Sequence, residues 1–333
     1  MHSQTKVLVT GATGFIGGNL VKALVDSGYR TRVLLRPASN TRNIVGLDVE
    51  KAYGDLRDRS SLERALDGCD GLFHVAAAYT FWAPDPKDVY ETNVRGTENL
   101  LTAALAKGIQ KVVYTSTESV IGIDGNGGLG TEELTADPRE LAGDYRKSKY
   151  QAEQVALRLS RAGLPLVVVN PTAPVGPGDL KPTPTGQFIV DFLNGRMPAY
   201  VNTGLNLVYV GDVARGHVLA MEKGHLGERY ILGNRNLTFK EILGLLEKIT
   251  GLKAPQRRIP VWFALGIAYL DEFVVAKARK RPPRIPVAAV RSACTYRYFD
   301  CSKAIRELGL PQTPVEEALE KAVRWFRENG YAK

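Results

Sequence analysis

The stretch KVLVTGATGFIGGNLVKALVDSGY, residues 6–29, decides the fold. Lys6–Thr10 is a largely β-branched and apolar run, which is typical of a buried parallel strand. Gly11, Gly14 and Gly17 follow, and the next residues show the apolar periodicity of a helix. Glycines at such a junction let the chain turn sharply and let a diphosphate approach the amides at the helix N-terminus. The stretch therefore predicts a dinucleotide site at the start of a doubly wound α/β fold.

Arg36 follows the second predicted strand, at the position that faces the adenosine ribose of a dinucleotide. No acidic residue, which would favour NAD(H), occurs between Arg30 and Gly46. Arg36, with Arg42 nearby, suits a 2′-phosphate, so NADP(H) is favoured and NAD(H) is the alternative. Arg36 could instead stack on adenine, which both cofactors carry. Asp55, after the third strand, is a candidate acceptor for the adenine amino group.

The chain length and composition indicate the class of protein. The 333 residues suffice for two domains, or for one large domain with an appended lobe, and alternating helical and strand patterns indicate an α/β fold. The three cysteines, at 69, 294 and 301, form no Cys-x-x-Cys motif and fit a reducing compartment. We expect a cytoplasmic protein, because the N-terminal residues show no secretory signal and the apolar segment 261–270 is too short to span a bilayer.

A basic run accounts for part of the formal net charge of +9. Its members are Lys277, Arg279, Lys280, Arg281 and Arg284. We favour a solvated loop here; the alternatives are phosphate recognition and a membrane-surface role beside segment 261–270. Nucleic acid is not expected as a partner, because no aromatic residues are interleaved with these cations.

Tyr145 and Lys149 lie one helical turn apart, on the apolar stripe of the helix predicted around them. An unpaired lysine on a core-facing stripe is costly, so a functional partner is expected. The structural alternative is a core tyrosine beside a lysine whose ammonium reaches water.

Several further motifs accompany this pair in a recognisable order. They are TGATGFIGG (10–18), FHVAA (73–77), NVRGTENLL (93–101), VVYTSTESV (112–120) and VVVNPTAPVGPGD (167–179). Together they resemble the extended short-chain dehydrogenase/reductase superfamily. The stretches 81–86 and 181–217 are most similar to the hopanoid-associated sugar epimerase group of dihydroflavonol-4-reductase-like proteins.

The resemblance implies a catalytic set of Thr117, Tyr145 and Lys149. In this superfamily the tyrosine transfers a proton to or from a substrate oxygen while the nicotinamide transfers the hydride. A phenol titrates near pH 10, and we expect the ammonium of Lys149 to lower that pKa and to bind the nicotinamide ribose. Ser116 is the rival of Thr117, and alternation along the strand should send the two side chains to opposite faces.

The resemblance also assigns binding residues. Asn93 is expected to brace the active site, and Asn170 and Pro171 to lie beside the nicotinamide carboxamide. The candidate cofactor-binding residues are Gly11, Thr13, Gly14, Phe15, Ile16, Gly17, Arg36, Asp55, Leu56, Ala76, Asn93, Thr115, Tyr145, Lys149, Asn170 and Pro171. The candidate substrate-binding residues are Tyr79, Trp82, Glu118 and Thr185.

Some residues depart from the patterns of related enzymes. Glu118 is followed by Ser119, so half of the acid–base pair that sugar dehydratases use is missing, and dehydration is not expected. The aromatic residues Tyr79, Phe81 and Trp82 would suit a flat or apolar substrate better than a diphosphate. The four histidines show no metal-ligand spacing, so no metal is expected.

The predicted organisation is a Rossmann-type doubly wound parallel sheet over residues 1–171 and a smaller α/β substrate lobe over 172–333. Residues 205–224 are expected to return to the first domain. A homodimer is implied by the resemblance, with the helices near 87–107 and around Tyr145 pairing between subunits.

Three functions remain open at this point. The favoured one is an NAD(P)-dependent oxidoreductase that moves hydride between the nicotinamide and a secondary alcohol or ketone. The alternative is an NAD-dependent sugar or nucleotide-sugar epimerase of the hopanoid-associated type. The third is a catalytically silent protein on the same scaffold, which the intact triad disfavours.

Overall fold

A computed structural model describes residues 5–80, 82–123, 128–276, 283, 286–293 and 295–332. The strands, in chain order, are β1 (Lys6–Thr10), β2 (Arg30–Leu35), β3 (Glu50–Tyr53), β4 (Gly71–His74), β5 (Lys111–Thr115), β6 (Leu166–Pro171), β7 (Ala173–Val175), β8 (Tyr200–Val201), β9 (Gly204–Tyr209), β10 (Arg229–Leu232), β11 (Arg235–Thr238), β12 (Arg258–Ile259) and β13 (Tyr296–Arg297).

The α-helices are α1 (Phe15–Asp26), α2 (Arg59–Leu66), α3 (Pro86–Tyr90), α4 (Gly96–Ala106), α5 (Gly143–Arg161), α6 (Pro184–Leu193), α7 (Val210–Lys223), α8 (Phe239–Thr250), α9 (Val261–Tyr269), α10 (Val287–Ala293) and α11 (Val315–Glu328). The π-helical segments are Glu91–Arg95, which joins α3 to α4, Leu270–Ala276, which continues α9, and Ala304–Leu308. Short 3₁₀ turns cover Arg42–Ile44 and Glu118–Val120.

A seven-stranded parallel sheet forms the centre of the molecule, in the order β3-β2-β1-β4-β5-β6-β10. The chain leaves β1 toward one edge of the sheet and later crosses to β4 on the other side. This reversal opens a crevice at the carboxyl ends of β1 and β4, where doubly wound sheets bind their ligands. The predicted Rossmann-type fold is confirmed. Strand β10, at the edge of this sheet, follows the segment 205–224 that we expected to return to the first domain.

Helices cover both faces of the central sheet. On one face α1 packs against α7, and fully buried Leu20, Leu24 and Val218 belong to their shared core. On the other face α2, α4 and α5 enclose a second core. Each large aliphatic side chain buried in this way contributes about 1.5–3 kcal/mol of transfer free energy. The helix α5 therefore holds Tyr145 and Lys149 against the sheet.

A smaller lobe forms around β9, whose edges pair with β7, β11 and β13. Helices α6, α8 and α11 pack on it, with Phe192, Leu246 and Phe326 in the core. Residues 205–224 contribute to both parts of the molecule. Strand β9 belongs to the smaller sheet, whereas α7 packs against α1 on a face of the central sheet. The domain boundary at residue 171 stays a prediction.

Candidate active site

The glycine-rich turn after β1 forms one end of the site. Gly11 has φ +74°, a conformation that favours glycine, and a Cβ on Gly17 would lie 2.0 Å from the Gly11 carbonyl oxygen. Gly14 occupies the N-cap of α1 without a capping side chain, and the first turn of the helix carries no acidic residue. The amides of this turn therefore keep their capacity to bind an anion, and the turn fits a dinucleotide diphosphate.

A cavity of about 820 Å³ extends from this turn to the smaller lobe. Every candidate cofactor-binding and catalytic residue lines the cavity, except Asn93 and Asn170. Among the candidate substrate residues, Tyr79, Glu118 and Thr185 also line it. Trp82 does not, and its backbone amide instead donates to Thr80 Oγ1 at 3.2 Å.

Tyr145 lies in the first turn of α5, where its hydroxyl shares a hydrogen bond with Thr117. The ring of Tyr79 packs edge-on against the Tyr145 ring, with 4.7 Å between centroids. Burial and the negative charge of Glu118 raise the pKa of Tyr145 above its ordinary value, and the hydrogen bond from Thr117 opposes this shift only in part. The phenol is therefore neutral at physiological pH and can donate a proton.

Lys149 is almost fully buried beneath Tyr145. Its Nζ donates to Tyr114 Oη at 3.1 Å and to the Thr115 carbonyl at 2.8 Å. Burial lowers the pKa of Lys149 to about 8, against the attraction of Glu153. We expected this ammonium to lower the pKa of Tyr145, but in the protein by itself the pKa of Tyr145 is raised. The physical reason is that burial and the charge of Glu118 raise this pKa, while the Lys149 ammonium is directed at Tyr114 and Thr115 and does not offset them.

The surroundings of Ser116 and Thr117 differ in a way that strand alternation did not predict, and the choice of Thr117 as the catalytic residue stays a prediction. Strand β5 ends at Thr115, and the two following residues both line the cavity. Thr117 is the one that hydrogen-bonds Tyr145, and its Oγ1 also accepts the amide of Ser119 at 3.2 Å. Ser116 Oγ is buried and finds no hydrogen-bond partner among the residues that the structure describes.

Asn93 does not line the cavity and instead makes hydrogen bonds to the segments that surround it. It lies in the π-helical segment Glu91–Arg95, where its Oδ1 accepts the Ala78 amide at 2.7 Å. Its Nδ2 donates to Ser148 Oγ at 2.9 Å, and Ser148 Oγ donates to the Tyr145 carbonyl at 2.8 Å. Asn93 thus joins the loop after β4 to the turn of α5 that carries Tyr145, and its role in bracing an active site stays a prediction.

Asn170 is another buried positioning residue. Its Nδ2 donates to the Thr117 carbonyl at 3.0 Å and to Glu153 Oε2 at 3.0 Å. Its Oδ1 is buried without a hydrogen-bond partner among the described residues. Pro171, the next residue, lines the cavity. Asn170 therefore fixes the segment that carries Thr117.

Glu118 forms an ion pair that the sequence did not indicate. Its Oε2 accepts Arg297 Nη2 at 2.6 Å and Arg297 Nε at 3.0 Å, and Arg297 Nη2 also donates to the Glu118 carbonyl at 2.7 Å. Burial alone would raise the pKa of Glu118, but the charges of Arg297 and Arg146 lower it below its ordinary value. Arg297 lies on β13, 179 residues away, so no local pattern could have paired them.

Arg146 is a second functional candidate that was missed, although it lies inside the Tyr145–Lys149 motif. Its half-buried side chain lines the cavity, and it makes no hydrogen bond to any residue in the described part of the chain. Burial lowers the pKa of its guanidinium, with the nearby carboxylate of Glu118 opposing that shift. Arg146 thus presents its donors beside the Tyr145 phenol.

The adenosine end of the cavity contains Arg36, which is exposed and lines the wall with Asp55. Arg42, which we expected to assist Arg36, donates instead to Asn329 Oδ1 at 2.7 Å and does not line the cavity. Asp55 Oδ1 accepts the Arg57 amide at 2.9 Å, and Arg57 is a further cation on this wall.

Two buried histidines, His74 and His217, make hydrogen bonds within the core of the protein. His74 bridges Thr10 and Thr97, at 2.9 Å on each ring nitrogen, and His217 Nδ1 donates to the Val213 carbonyl at 2.7 Å. Burial lowers the pKa of His74 to about 3 and that of His217 to about 4, so both rings are neutral. The described ranges contain no group of three or more His, Cys, Asp and Glu side chains placed to hold a metal ion.

Some predicted features lie outside the described residues. They are the basic run 277–284, Phe81 and Cys294. Within the described ranges, no helix combines the length and apolar character that a bilayer crossing requires.

The model of the NAD-dependent epimerase/dehydratase family matches residues 7–233. The chain is 46% identical over 329 residues to a putative dihydroflavonol 4-reductase from Synechocystis sp., covering 98% of this chain and 95% of the relative. It is 39% identical over 324 residues to sterol demethylase protein B from Methylococcus capsulatus, covering 97% and 98%. The chain belongs to this epimerase/dehydratase family.

A solved structure in the family supports the same assignment. A nucleoside-diphosphate-sugar epimerase from Pseudomonas aeruginosa superposes with a TM-score of 0.82 and 27% identity, and the match covers 99% of each chain. The resemblance to the extended short-chain dehydrogenase/reductase superfamily and to dihydroflavonol-4-reductase-like proteins is confirmed. The protein is an enzyme, an oxidoreductase of the NAD-dependent epimerase/dehydratase family.

Proposed function

We propose that the protein transfers hydride between a nicotinamide cofactor and a secondary alcohol or ketone on a largely apolar substrate, with Tyr145 as the proton donor or acceptor. The observation that carries this proposal is the placement of a neutral Tyr145 phenol, hydrogen-bonded to Thr117, inside a cavity that joins the glycine turn to the smaller lobe. The residues fit a dinucleotide, because the glycine turn keeps free amides and tolerates no side chain at Gly17.

The lining of the cavity near the smaller lobe supports an apolar substrate. It includes Phe188, Met197, Leu205, Phe239 and Val290. Such walls favour a ring system or a hydrocarbon chain, since each buried CH₂ contributes about 0.8 kcal/mol. The relatives named as a dihydroflavonol 4-reductase and a sterol demethylase protein agree with this choice.

The polar residues near Tyr145 suit a substrate that carries a small polar group, such as a single ketone or hydroxyl, at its reacting end. Glu118 neutralises Arg297, so a diphosphate at this end would have to compete with a carboxylate oxygen that already accepts from both Nε and Nη2 of Arg297. Arg146 keeps its donors for another substrate oxygen. This arrangement favours a ketone or alcohol over a nucleotide sugar.

When bound, the nicotinamide supplies or accepts the hydride. For reduction, Tyr145 Oη donates a proton to the substrate oxygen, and Thr117 Oγ1 holds that oxygen in line through a second hydrogen bond. Lys149 remains protonated near neutrality and stabilises the negative charge that develops on Tyr145 as its proton leaves. Asn93, acting through Ser148, keeps the turn that carries Tyr145 in place.

We further propose that NADP(H) is the preferred cofactor and NAD(H) the secondary one. The exposed guanidinium of Arg36 follows β2, and no carboxylate lies on the same turn to accept ribose hydroxyls. A 2′-phosphate would gain a charge-assisted hydrogen bond there.

The decisive experiment measures net redox turnover. Purified full-length protein is first denatured, and any released nucleotide is identified. Protein is then mixed with NADPH or NADH and with apolar cyclic and linear ketones, while the absorbance of the reduced nicotinamide is followed. Ketone-dependent loss of that absorbance is expected.

The second candidate is a nucleotide-sugar epimerase. The epimerase named among the solved structures favours it. Tightly retained NAD⁺, together with interconversion of UDP-sugars and no net absorbance change, would establish the epimerase function and overturn the reductase proposal.

A homodimer also stays a proposal, to be tested by sedimentation.

A further inference from the structure

A continuous apolar ridge lies on the surface of the smaller lobe. It consists of Trp262, Phe263, Ile267, Leu270, Phe273 and Val274, which are 72%, 46%, 40%, 58%, 57% and 55% exposed. Spacings of three and four residues place these side chains on one face of α9 and of its continuation Leu270–Ala276. Ala264 and Ala268 are buried on the opposite face. Scattered exposed apolar residues are ordinary, but a contiguous ridge of large ones marks an interaction surface.

Helix α10 connects the ridge with the cavity, because it packs against α9 on one side. Two α10 residues, Ala289 and Val290, line the cavity near the smaller lobe. The ridge residues themselves do not line the cavity, so the ridge is separate from the catalytic machinery. The arrangement places an apolar surface beside the apolar end of the proposed substrate site.

The charged residues around the ridge have one predominant sign. Lys253, Arg257 and Arg258 are exposed before α9, and Arg291 is exposed on α10, where its Nη2 donates to Tyr269 Oη at 2.6 Å. The described carboxylates in this region are only half-exposed. They are Asp271 and Glu272, and Glu272 Oε2 accepts the Val287 amide at 2.7 Å. Outward-facing charge beside the ridge is therefore cationic.

We propose that the ridge docks in the interfacial region of an anionic lipid bilayer, with α9 lying in the plane of the surface. An apolar helix that exposes large side chains on one face, with cations on the neighbouring segments, has the chemistry that binds such a surface. Trp262 and Tyr269 have the amphipathic rings that prefer the headgroup level. Delivery of an apolar substrate from the bilayer to the cavity rests on the proposed function, whereas docking itself does not.

The test is co-sedimentation of the full chain with vesicles of phosphatidylcholine alone, and of phosphatidylcholine mixed with phosphatidylglycerol. The intact protein should bind the mixed vesicles more strongly, and salt should weaken this binding. Leu270→Ser combined with Phe273→Ser should lower the partition coefficient at least tenfold, because two large side chains no longer enter the apolar boundary. Arg257→Gln combined with Arg258→Gln should remove much of the preference for the anionic vesicles.

The matched control is Val45→Ser combined with Leu226→Ser, which changes two apolar residues that are 74% and 58% exposed but lie outside the ridge. This variant should bind vesicles like the parent protein. Trp262 provides a second readout, since its fluorescence should shift to shorter wavelength with vesicles and Trp262→Phe should abolish that shift. Far-UV circular dichroism and melting temperature verify that each variant is folded.

Two outcomes would overturn the proposal. One is equal vesicle binding by the Leu270/Phe273 variant and by the control. The other is the absence of vesicle binding by the parent chain; sedimentation velocity of parent and ridge variant then shows whether the ridge instead mediates self-association. Failure of the proposed function is distinguishable, because it appears as missing turnover of a water-soluble ketone while vesicle binding persists. Ridge variants should retain turnover of that soluble ketone.

Discussion

The carboxylate of Glu118 and the guanidinium of Arg297 meet at 2.6 Å inside the cavity, and this contact joins the central sheet to the smaller lobe. Glu118 follows β5, whereas Arg297 belongs to β13 in the smaller sheet. Only about a sixth of each side chain is exposed to water, 17% and 13% respectively, so the pair is weakly screened. The ion pair holds the two walls of the cavity together, and it neutralises the charge of Arg297 on the cavity wall.

Replacement of Glu118 by Gln should therefore weaken the fold as well as the site. We expect the free energy of unfolding to fall by about 1–3 kcal/mol, because the Arg297 guanidinium loses a charged acceptor in a poorly hydrated place. Denaturant unfolding measures this change. The matched control is Glu316→Gln, which removes the exposed ion pair with Arg235 and should change stability by less than about 0.5 kcal/mol. Equal effects from the two substitutions would contradict the importance assigned to Glu118.

The replacement Tyr145→Phe should lower the turnover rate by about 10²–10⁴-fold, which is the usual contribution of a positioned proton donor. Cofactor affinity should change little, since the ring and its packing against Tyr79 remain. Steady-state kinetics and cofactor titration separate the two effects. Tyr79→Phe is the control, because it keeps an aromatic wall while removing a hydroxyl that the mechanism does not use. A Tyr145 variant that retains normal turnover would exclude this residue as the proton donor.

The central fold could be predicted because its signals are local. The strand, the glycine turn and the helix of residues 6–29 are adjacent in sequence, and their physical requirements appear directly in residue type. The candidate catalytic set likewise rests on motifs whose order along the chain can be recognised in the sequence. By contrast, β10 is only four residues long and lies between turns, so its place at the sheet edge depends on tertiary pairing with β6.

The electrostatics of the site could not be predicted from spacing. Tyr145 and Lys149 are one turn apart, but the pKa of the phenol depends on burial and on the charge of Glu118. Both are set by tertiary packing and not by the spacing of the motif. The partner of Glu118 is similarly distant in sequence. Segment 261–270 was recognised as too short to span a bilayer, but which of its faces is exposed depends on α10.

The pH dependence of turnover should report the protonation of Lys149. Its pKa is lowered to about 8 by burial, so the reduction rate should decline as pH rises through about 8 and the ammonium is lost. The pKa of Tyr145 is raised, so the phenol does not produce this decline. Lys149→Met should be slow at every pH and should lack the alkaline decline. Lys111→Met, which alters another lysine whose pKa burial lowers, should keep the parental profile.

The same group should make stability depend on pH. The unfolded lysine keeps a proton up to about pH 10.4, whereas the folded lysine releases it near 8. Over this window the unfolded state binds more protons, so the contribution of Lys149 to the free energy of unfolding increases with pH. The parent should gain roughly 3 kcal/mol relative to Lys149→Met between these limits. A parallel pH course for the two proteins in denaturant unfolding would show that the ammonium is not destabilised by burial.

Arg36 allows the sharpest test of cofactor choice. Arg36→Asp should replace attraction for a 2′-phosphate by repulsion and offer an acceptor to a ribose hydroxyl, so the ratio of kcat/KM for NADPH to that for NADH should fall by about 10–100-fold. Arg42→Asp is the matched control, because Arg42 is directed to Asn329 and does not line the cavity. This control should leave the ratio within about twofold. If both substitutions lower the ratio equally, general electrostatic attraction rather than a contact at Arg36 selects the cofactor. If neither does, Arg36 contacts only the part of the dinucleotide that NAD(H) and NADP(H) share.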